Sequence, residues 1–239
     1  MSGHSKWANI QSTKVVADKK RSAIFTKYAR LVTVAAREGG GGDPTVNFKL
    51  RMAIDKARSV NMPKDNIERA VARGAGGTGD EHLESALYEA LMLEGRCGLL
   101  IECLTDNKNR TVGVLKTILN KHNITFGSSG SVQWMFDRHG IIRLENTNIT
   151  DEQELELIDE GVLDFVSENN SITIHTSPER FQNVLQCVHR FGLKPSYSEL
   201  DWVAKNPIAF SDKEQKKINE IVDLLEEDDD TQKIWTNVE

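Results

Sequence analysis

The most restrictive feature of this 239-residue chain is the order of its hydrophobic patterns between residues 140 and 204. Apolar residues there form runs of strand length, and two longer segments repeat at helical spacing. In chain order the strand, helix, strand, strand, helix and strand segments read GIIRLE, TDEQELELIDEG, VLDFVS, SITIHT, SPERFQNVLQCVHRFG and KPSYSELDWVA. In the second helix, Ser177 is predicted as the N-cap, Pro178 in the first turn and Gly192 at the end. This order is that of a ferredoxin-like domain.

The segments on either side of this unit predict a second α/β domain that is discontinuous in sequence. Before it, the strand-like runs ALYEALML, GLLIECL and SVQWMF accompany a helix predicted in NRTVGVLKTILNKHN. After it remain one helix, in SDKEQKKINEIVDLLEE, and one strand, in KIWTNV, which are too few to form their own core. We therefore predict two α/β domains, with the ferredoxin-like domain (residues 137–206) inserted in the other (residues 77–136 plus 207–239).

The first 76 residues predict a separate helical domain, which makes the fold class α+β. Helices are expected over residues 24–37, 46–60 and 63–73, because apolar residues recur there on one helical face. The run EGGGGDP separates the first two helices, and Gly74 is predicted to end the third.

Charge is divided unevenly along the chain. Residues 1–76 contain 15 Lys and Arg against 6 Asp and Glu, a net +9, whereas the remaining 163 residues carry a net −15. Such a division is typical of a protein whose basic part contacts nucleic acid, although a solvated basic face is an equally good interpretation of charge alone.

The candidate nucleic-acid contacts are cations with one interleaved aromatic residue. Cations along a chain segment neutralise phosphates, and an exposed indole stacks on an unpaired base. The alternative for the Trp is that it packs under the helical domain and anchors the N-terminus. The predicted contact set is Lys6, Trp7, Lys14, Lys19, Lys20, Arg21, Lys27, Arg30 and Lys64.

Other patterns speak against an enzyme, a cofactor or a metal site. The GAGGTG at residues 74–79 matches a dinucleotide fingerprint literally, but a helix precedes it, so it is predicted to be a linker. The histidines and the three cysteines show no metal-ligand or nucleophile spacing. The acidic run EEDDD (residues 226–230) could hold a divalent cation, but it lacks the spacing and the glycine of a calcium loop and is interpreted as a solvated helix end. With an odd cysteine count and no apolar run of about 18 residues, a cytoplasmic protein without a membrane partner is expected.

Several motifs in register resemble the YebC/PmpR family of bacterial proteins, whose mitochondrial relative is the translational activator of cytochrome oxidase subunit one. They are GHSKWANI, IFTK, VAAREGG, AIDKARSVNMPKDNIERA, LTDNKNRT and GSVQWMF. The resemblance implies a helical first domain, two α/β domains with one inserted in the other, and no enzymatic activity. Members often carry a basic KHRK-type run where this chain has Gln11, Ser12, Thr13 and Lys14, which weakens the case for contacts at residues 11–13.

The leading hypothesis is a non-enzymatic regulator of gene expression that binds nucleic acid through its basic helical domain. The resemblance implies either a transcriptional regulator on duplex DNA or a translation factor that binds ribosomal RNA on stalled ribosomes. A third reading is a protein-interaction module whose basic domain docks an acidic protein partner.

Overall fold

The computed structural model describes residues 18–76, 83–168 and 170–239, with side chains from Ile24 onward in the first range. The first range forms the helical unit: α1 (Asp18–Glu38), α2 (Phe48–Ser59) and α3 (Lys64–Ala75). Its core contains Val32 and Ala36 from α1 and Leu50 and Ala57 from α2, all fully buried.

Asn47 fixes the angle between α1 and α2. Its buried side chain accepts a hydrogen bond from the Leu50 N–H at 2.9 Å, which caps α2. The same amide donates to the carbonyl oxygens of Ala35 at 2.8 Å and Gly41 at 2.9 Å. One side chain thus satisfies both the start of α2 and the end of α1.

Gly74 does not end the third helix, contrary to the prediction from sequence. The helix continues to Ala75, and Gly74 lies buried inside it. A Cβ atom at this position would lie 2.2 Å from the backbone oxygen of Thr33 on α1. The glycine therefore permits the close approach of α1 and α3.

The second described range begins the first sheet. Strands β1 (Glu84–Met92) and β2 (Cys97–Thr105) pair antiparallel, α4 (Lys108–Lys121) follows, and the short β3 (Thr125–Phe126) pairs with β1. Strand β2 is buried along nearly its whole length, because both faces of this sheet are covered.

The inserted unit forms a separate sheet from residues 136–204. Its elements are β4 (Phe136–Glu145), α5 (Asp151–Asp159), β5 (Val162–Glu168), β6 (Ser171–Thr176), α6 (Phe181–Arg190) and β7 (Tyr197–Ala204). The strand order is β5-β6-β4-β7, and all neighbouring strands are antiparallel. This is the ferredoxin-like arrangement that the sequence predicts.

The chain then returns to the first sheet through α7 (Asp212–Glu226) and β8 (Thr231–Thr236). Strand β8 pairs with β2, which gives the order β3-β1-β2-β8. Helices α4 and α7 cover one face of this sheet with Leu115, Leu119, Ile221 and Leu225. The predicted fold class, with one α/β unit inserted in another, is confirmed.

Two further segments differ from their predictions. The segment SVQWMF is not a strand throughout: residues Gln133–Met135 form a 3-10 turn, and β4 begins at Phe136. Ser177 is not the N-cap and Pro178 is not in the first turn, because α6 begins only at Phe181. The carbonyl of Ser177 accepts hydrogen bonds from the Arg180 and Phe181 N–H groups in a separate turn. In the described part of the chain, no helix is both long and apolar enough to cross a membrane.

Candidate nucleic-acid interface

The structure places part of the predicted contact set. Lys6, Trp7 and Lys14 lie outside the described residues. Three further cations lie near the start of α1, and their side chains are likewise outside the described part: Lys19, Lys20 and Arg21. Since α1 is continuous over 21 residues, these three cations belong to the same rigid helix as Lys27 and Arg30.

Lys27 and Arg30 bind the acidic run instead of facing solvent. The Lys27 ammonium is buried and donates to the backbone oxygen of Glu226 at 2.5 Å. The Arg30 Nη1 atom donates to Asp230 Oδ1 at 2.7 Å and to the backbone oxygen of Asp229 at 2.8 Å. Lys27 is therefore closed to a phosphate in this arrangement, and Arg30 is already paired with a carboxylate.

Asp230 lies at the centre of this contact and is only 4% exposed. Its Oδ2 atom accepts hydrogen bonds from Thr111 Oγ1 at 2.7 Å and from Thr105 Oγ1 at 3.1 Å. Arg110 Nη2 donates to the same carboxylate at 3.1 Å. The interpretation of the acidic run as a solvated helix end is thus wrong for Asp230, which joins β2, α4 and α1.

The pKa values in this contact follow from burial and pairing. Burial lowers the pKa of Lys27, and the carboxylates of the acidic run oppose that shift. Burial also raises the pKa of Asp230, but the hydrogen bonds from threonine and arginine side chains outweigh it and hold the pKa below its ordinary value. Asp230 is therefore ionised at neutral pH and remains a charged acceptor for Arg30.

A second buried contact, which we call the junction cluster, joins all three units. It consists of Lys56 on α2, Lys233 on β8, and Tyr197, Glu199 and Asp201 on β7. Lys233 Nζ donates to Glu199, to Asp201 Oδ1 at 3.0 Å and to the Tyr197 hydroxyl at 3.1 Å. Lys56 Nζ lies 2.6 Å from the other oxygen of Glu199. The helical unit is thus held to the inserted domain as well as to the first sheet.

Glu199 and Lys233 of the junction cluster are both charged at neutral pH. Burial raises the pKa of Glu199, but Lys233 and Lys56 overcome that effect and lower the pKa to about 2. Burial lowers the pKa of Lys233, yet its acidic neighbours raise it well above the ordinary lysine value. Sequence reasoning missed Lys56 and Lys233 as cluster residues, because their partners lie far away in the chain.

The remaining described cations of the helical unit on α2 and α3 face solvent. Lys64, a predicted contact, has an 84% exposed side chain whose partner is Glu68 at 3.3 Å. Lys49 and Arg58 have similarly exposed partners, Glu38 at 3.5 Å and Asp55 at 3.3 Å. Exposed pairs of this kind contribute about 0–1 kcal/mol, so the carboxylates hold these cations only weakly. Three further exposed cations lie on the same two helices: Arg51, Arg69 and Arg73.

In the described residues, no group of three or more His, Cys, Asp or Glu side chains is arranged to hold a metal ion. His139 and His175 approach with their Nδ1 atoms 3.5 Å apart, in the sheet of the inserted domain. The contact between the two sheets is filled by a hydrophobic cluster that includes Leu100, Phe136 and Trp235.

Comparison with known proteins identifies the family. The model of the TACO1/YebC protein N-terminal domain matches residues 5–77, and the model of the TACO1/YebC second and third domain matches residues 83–238. The chain belongs to the TACO1/YebC family. The resemblance predicted from the sequence motifs is confirmed.

Individual relatives of this TACO1/YebC-family chain match it over nearly its whole length. It is 44% identical over 241 residues to a probable transcriptional regulatory protein of Thermoanaerobacter pseudethanolicus, covering 100% of this chain and 97% of that protein. A probable transcriptional regulatory protein of Treponema denticola is 40% identical over 240 residues, covering 100% and 96%. The crystal structure of a conserved hypothetical protein from Aquifex aeolicus matches with a TM-score of 0.83 and 32% identity, covering 98% and 97%.

Proposed function

We propose that this protein regulates gene expression by binding nucleic acid through the N-terminal end of α1. The observation that carries the proposal is the continuity of α1 from Asp18 to a segment anchored by Lys27 and Arg30. At a rise of about 1.5 Å per residue, Lys19 lies roughly 12 Å along the axis from Lys27. The three adjacent cations Lys19, Lys20 and Arg21 are thus carried on a helix that is anchored in its middle.

The spacing of these cations adds a second argument. Lys19, Lys20 and Arg21 are consecutive on one helix, so their like charges repel one another. A phosphate group bound beside them neutralises this repulsion.

The nucleic acid is either duplex DNA, which the relatives' names favour, or structured RNA such as ribosomal RNA. The two buried contacts of the helical unit favour the second candidate. They hold the helical unit and both α/β domains together as a broad surface, which suits recognition of RNA by shape. An acidic protein as the partner is the alternative that a nuclease control tests.

The test is co-sedimentation with ribosomes from a lysate at two salt concentrations, in parallel with binding to labelled duplex DNA. The variant is Lys19→Glu, Lys20→Glu and Arg21→Glu together, and the matched control is Lys213→Glu, Lys216→Glu and Lys217→Glu on α7. We expect salt-sensitive binding that the α1 variant abolishes and the α7 variant retains. Equal binding by both variants would refute the proposed site, and binding that survives nuclease would indicate a protein partner.

A further inference from the structure

Trp134 is the most exposed aromatic side chain in the described part of the chain. It lies in the 3-10 turn between the first sheet and β4, and 64% of its surface is accessible. Its neighbours Val132 and Phe136 are buried, so the backbone around it is anchored while the indole faces outward. An indole of this size at the surface contributes little to the core and exposes a large apolar face.

The loop that carries Trp134 is held by a buried carboxylate. Glu89 on β1 is 3% exposed, and its side chain accepts hydrogen bonds from three backbone N–H groups. These come from Gly130 at 2.6 Å, Val132 at 2.5 Å and Gln133 at 3.0 Å. A buried carboxylate is costly unless its oxygens are satisfied, and these charge-assisted bonds satisfy it. The loop is therefore fixed immediately before Trp134.

Strand β2 packs closely against the same loop. A Cβ atom on Gly98 would lie 2.6 Å from Val132 Cγ1 and 2.8 Å from Met135 Sδ. Only a glycine lets the residues on either side of Trp134 sit this close to the sheet. The indole is fixed as well, because its Nε1–H donates to the backbone oxygen of Ser131 at 2.9 Å. Because the indole N–H is already hydrogen-bonded, the ring offers its apolar face for contact with a ligand.

The surroundings of Trp134 fit a nucleic-acid strand better than a protein surface. Across residues 127–139, all of them described, Trp134 is the sole exposed large apolar side chain. Protein interfaces usually bury a wider apolar core around such a residue. The nearby Asp137 is paired with Lys205 at 3.2 Å, whereas the exposed Arg138 lies over the Trp202 ring at 5.3 Å. A lone fixed indole without a wider apolar patch around it is the arrangement that stacks on an unpaired base.

We propose that Trp134 is a stacking site for an unpaired base of a bound nucleic-acid strand. This inference rests on the proposed function in that the ligand is nucleic acid. It assigns, however, a second contact on a different domain from the cations of α1.

The test measures binding of the full-length protein to a fluorescein-labelled 12-nucleotide single-stranded RNA by fluorescence anisotropy. We expect Trp134→Leu and Trp134→Ala to weaken binding by about 5- to 100-fold, since stacking on an aromatic ring is lost. Trp134→Phe keeps an aromatic face and is expected to stay within about threefold of the parent. Leu155→Ala is the matched control, because Leu155 is also 64% exposed but lies on the inserted domain. Circular dichroism and thermal unfolding show that each variant is folded.

The outcomes separate this inference from the proposed function. Unchanged affinity of Trp134→Leu, with binding lost in the triple-glutamate variant of α1, would overturn the stacking site and leave the function standing. If Trp134→Phe binds as weakly as Trp134→Leu, the contact depends on the indole as a whole and not on stacking, and the inference fails. Failure of the parent protein to bind the RNA at low salt overturns it as well.

Discussion

Replacement of Lys233 by Met is the most informative perturbation of the way the three units are joined. The Lys233 side chain is 18% exposed and pairs with two carboxylates that are still less exposed, Glu199 at 13% and Asp201 at 7%. Without the ammonium, Asp201 keeps the Trp235 Nε1–H at 3.1 Å and the Tyr197 hydroxyl, and Glu199 keeps Lys56. Asp201 then loses its ion-pair partner in a largely buried place, and Glu199 retains only one of its two.

The expected cost is about 3–5 kcal/mol, which is the usual effect of removing one partner of a buried ion pair. Proteins are stable by only about 5–15 kcal/mol, so the loss is large. For a chain of this size it corresponds to a decrease in melting temperature of about 6–20 °C. The control is Lys205→Met, since Lys205 pairs with Asp137 where the side chains are 43% and 57% exposed. There the expected loss is about 0–1 kcal/mol.

The assay is urea unfolding at pH 7, followed by tryptophan fluorescence. It compares the parent with the single variants Lys233→Met, Lys205→Met and Glu199→Gln, and with the double variant Lys233→Met with Glu199→Gln. The double variant is expected to lose less than the sum of its two single variants, because removing both charges leaves fewer unpaired groups. The reasoning is refuted if Lys233→Met loses no more stability than Lys205→Met.

Three further predictions concern pH, thiol chemistry and helix packing. The pKa of Glu199 lies at about 2 in the folded protein, below its ordinary value of 4.5, so its contribution is present above pH 4.5 and is lost as pH falls toward 2. Acid titration of unfolding should show a smaller loss over that range in Glu199→Gln. Burial raises the pKa of Cys97 and Cys103 to about 12, and Cys187 is also buried. A thiol-specific reagent at pH 8 should therefore label none of the three cysteines within minutes, and all three in denaturant. Gly74→Ala should destabilise by about 1–3 kcal/mol through overpacking against α1, whereas Gly113→Ala, whose Cβ meets nothing within 4 Å, should stabilise α4 by about 0.5–1 kcal/mol. Equal effects of the two glycine variants in thermal unfolding would contradict this account.

The sequence predicts the elements well where the signal is local. The strand SITIHT was expected over residues 171–176 and is found at Ser171–Thr176, because alternation of apolar residues reflects neighbours in the same strand. Helices were likewise located to within a few residues at α2 and α4, where apolar residues three and four positions apart form one face. The irregular turn at Gln133–Met135 was not predicted, because it depends on Glu89, more than 40 residues earlier in the chain.

The sequence by itself thus determined the order of the elements, the insertion of one sheet in the other and the basic character of the first unit. Only the tertiary structure decided what individual charges do. Lys27 and Arg30 counted as candidate phosphate contacts in the sequence, yet their partners are 199 and 200 residues away on the acidic run. Local patterns carry no information about such distant partners, because a solvated cation and a buried one look alike until the fold brings the second charge beside it.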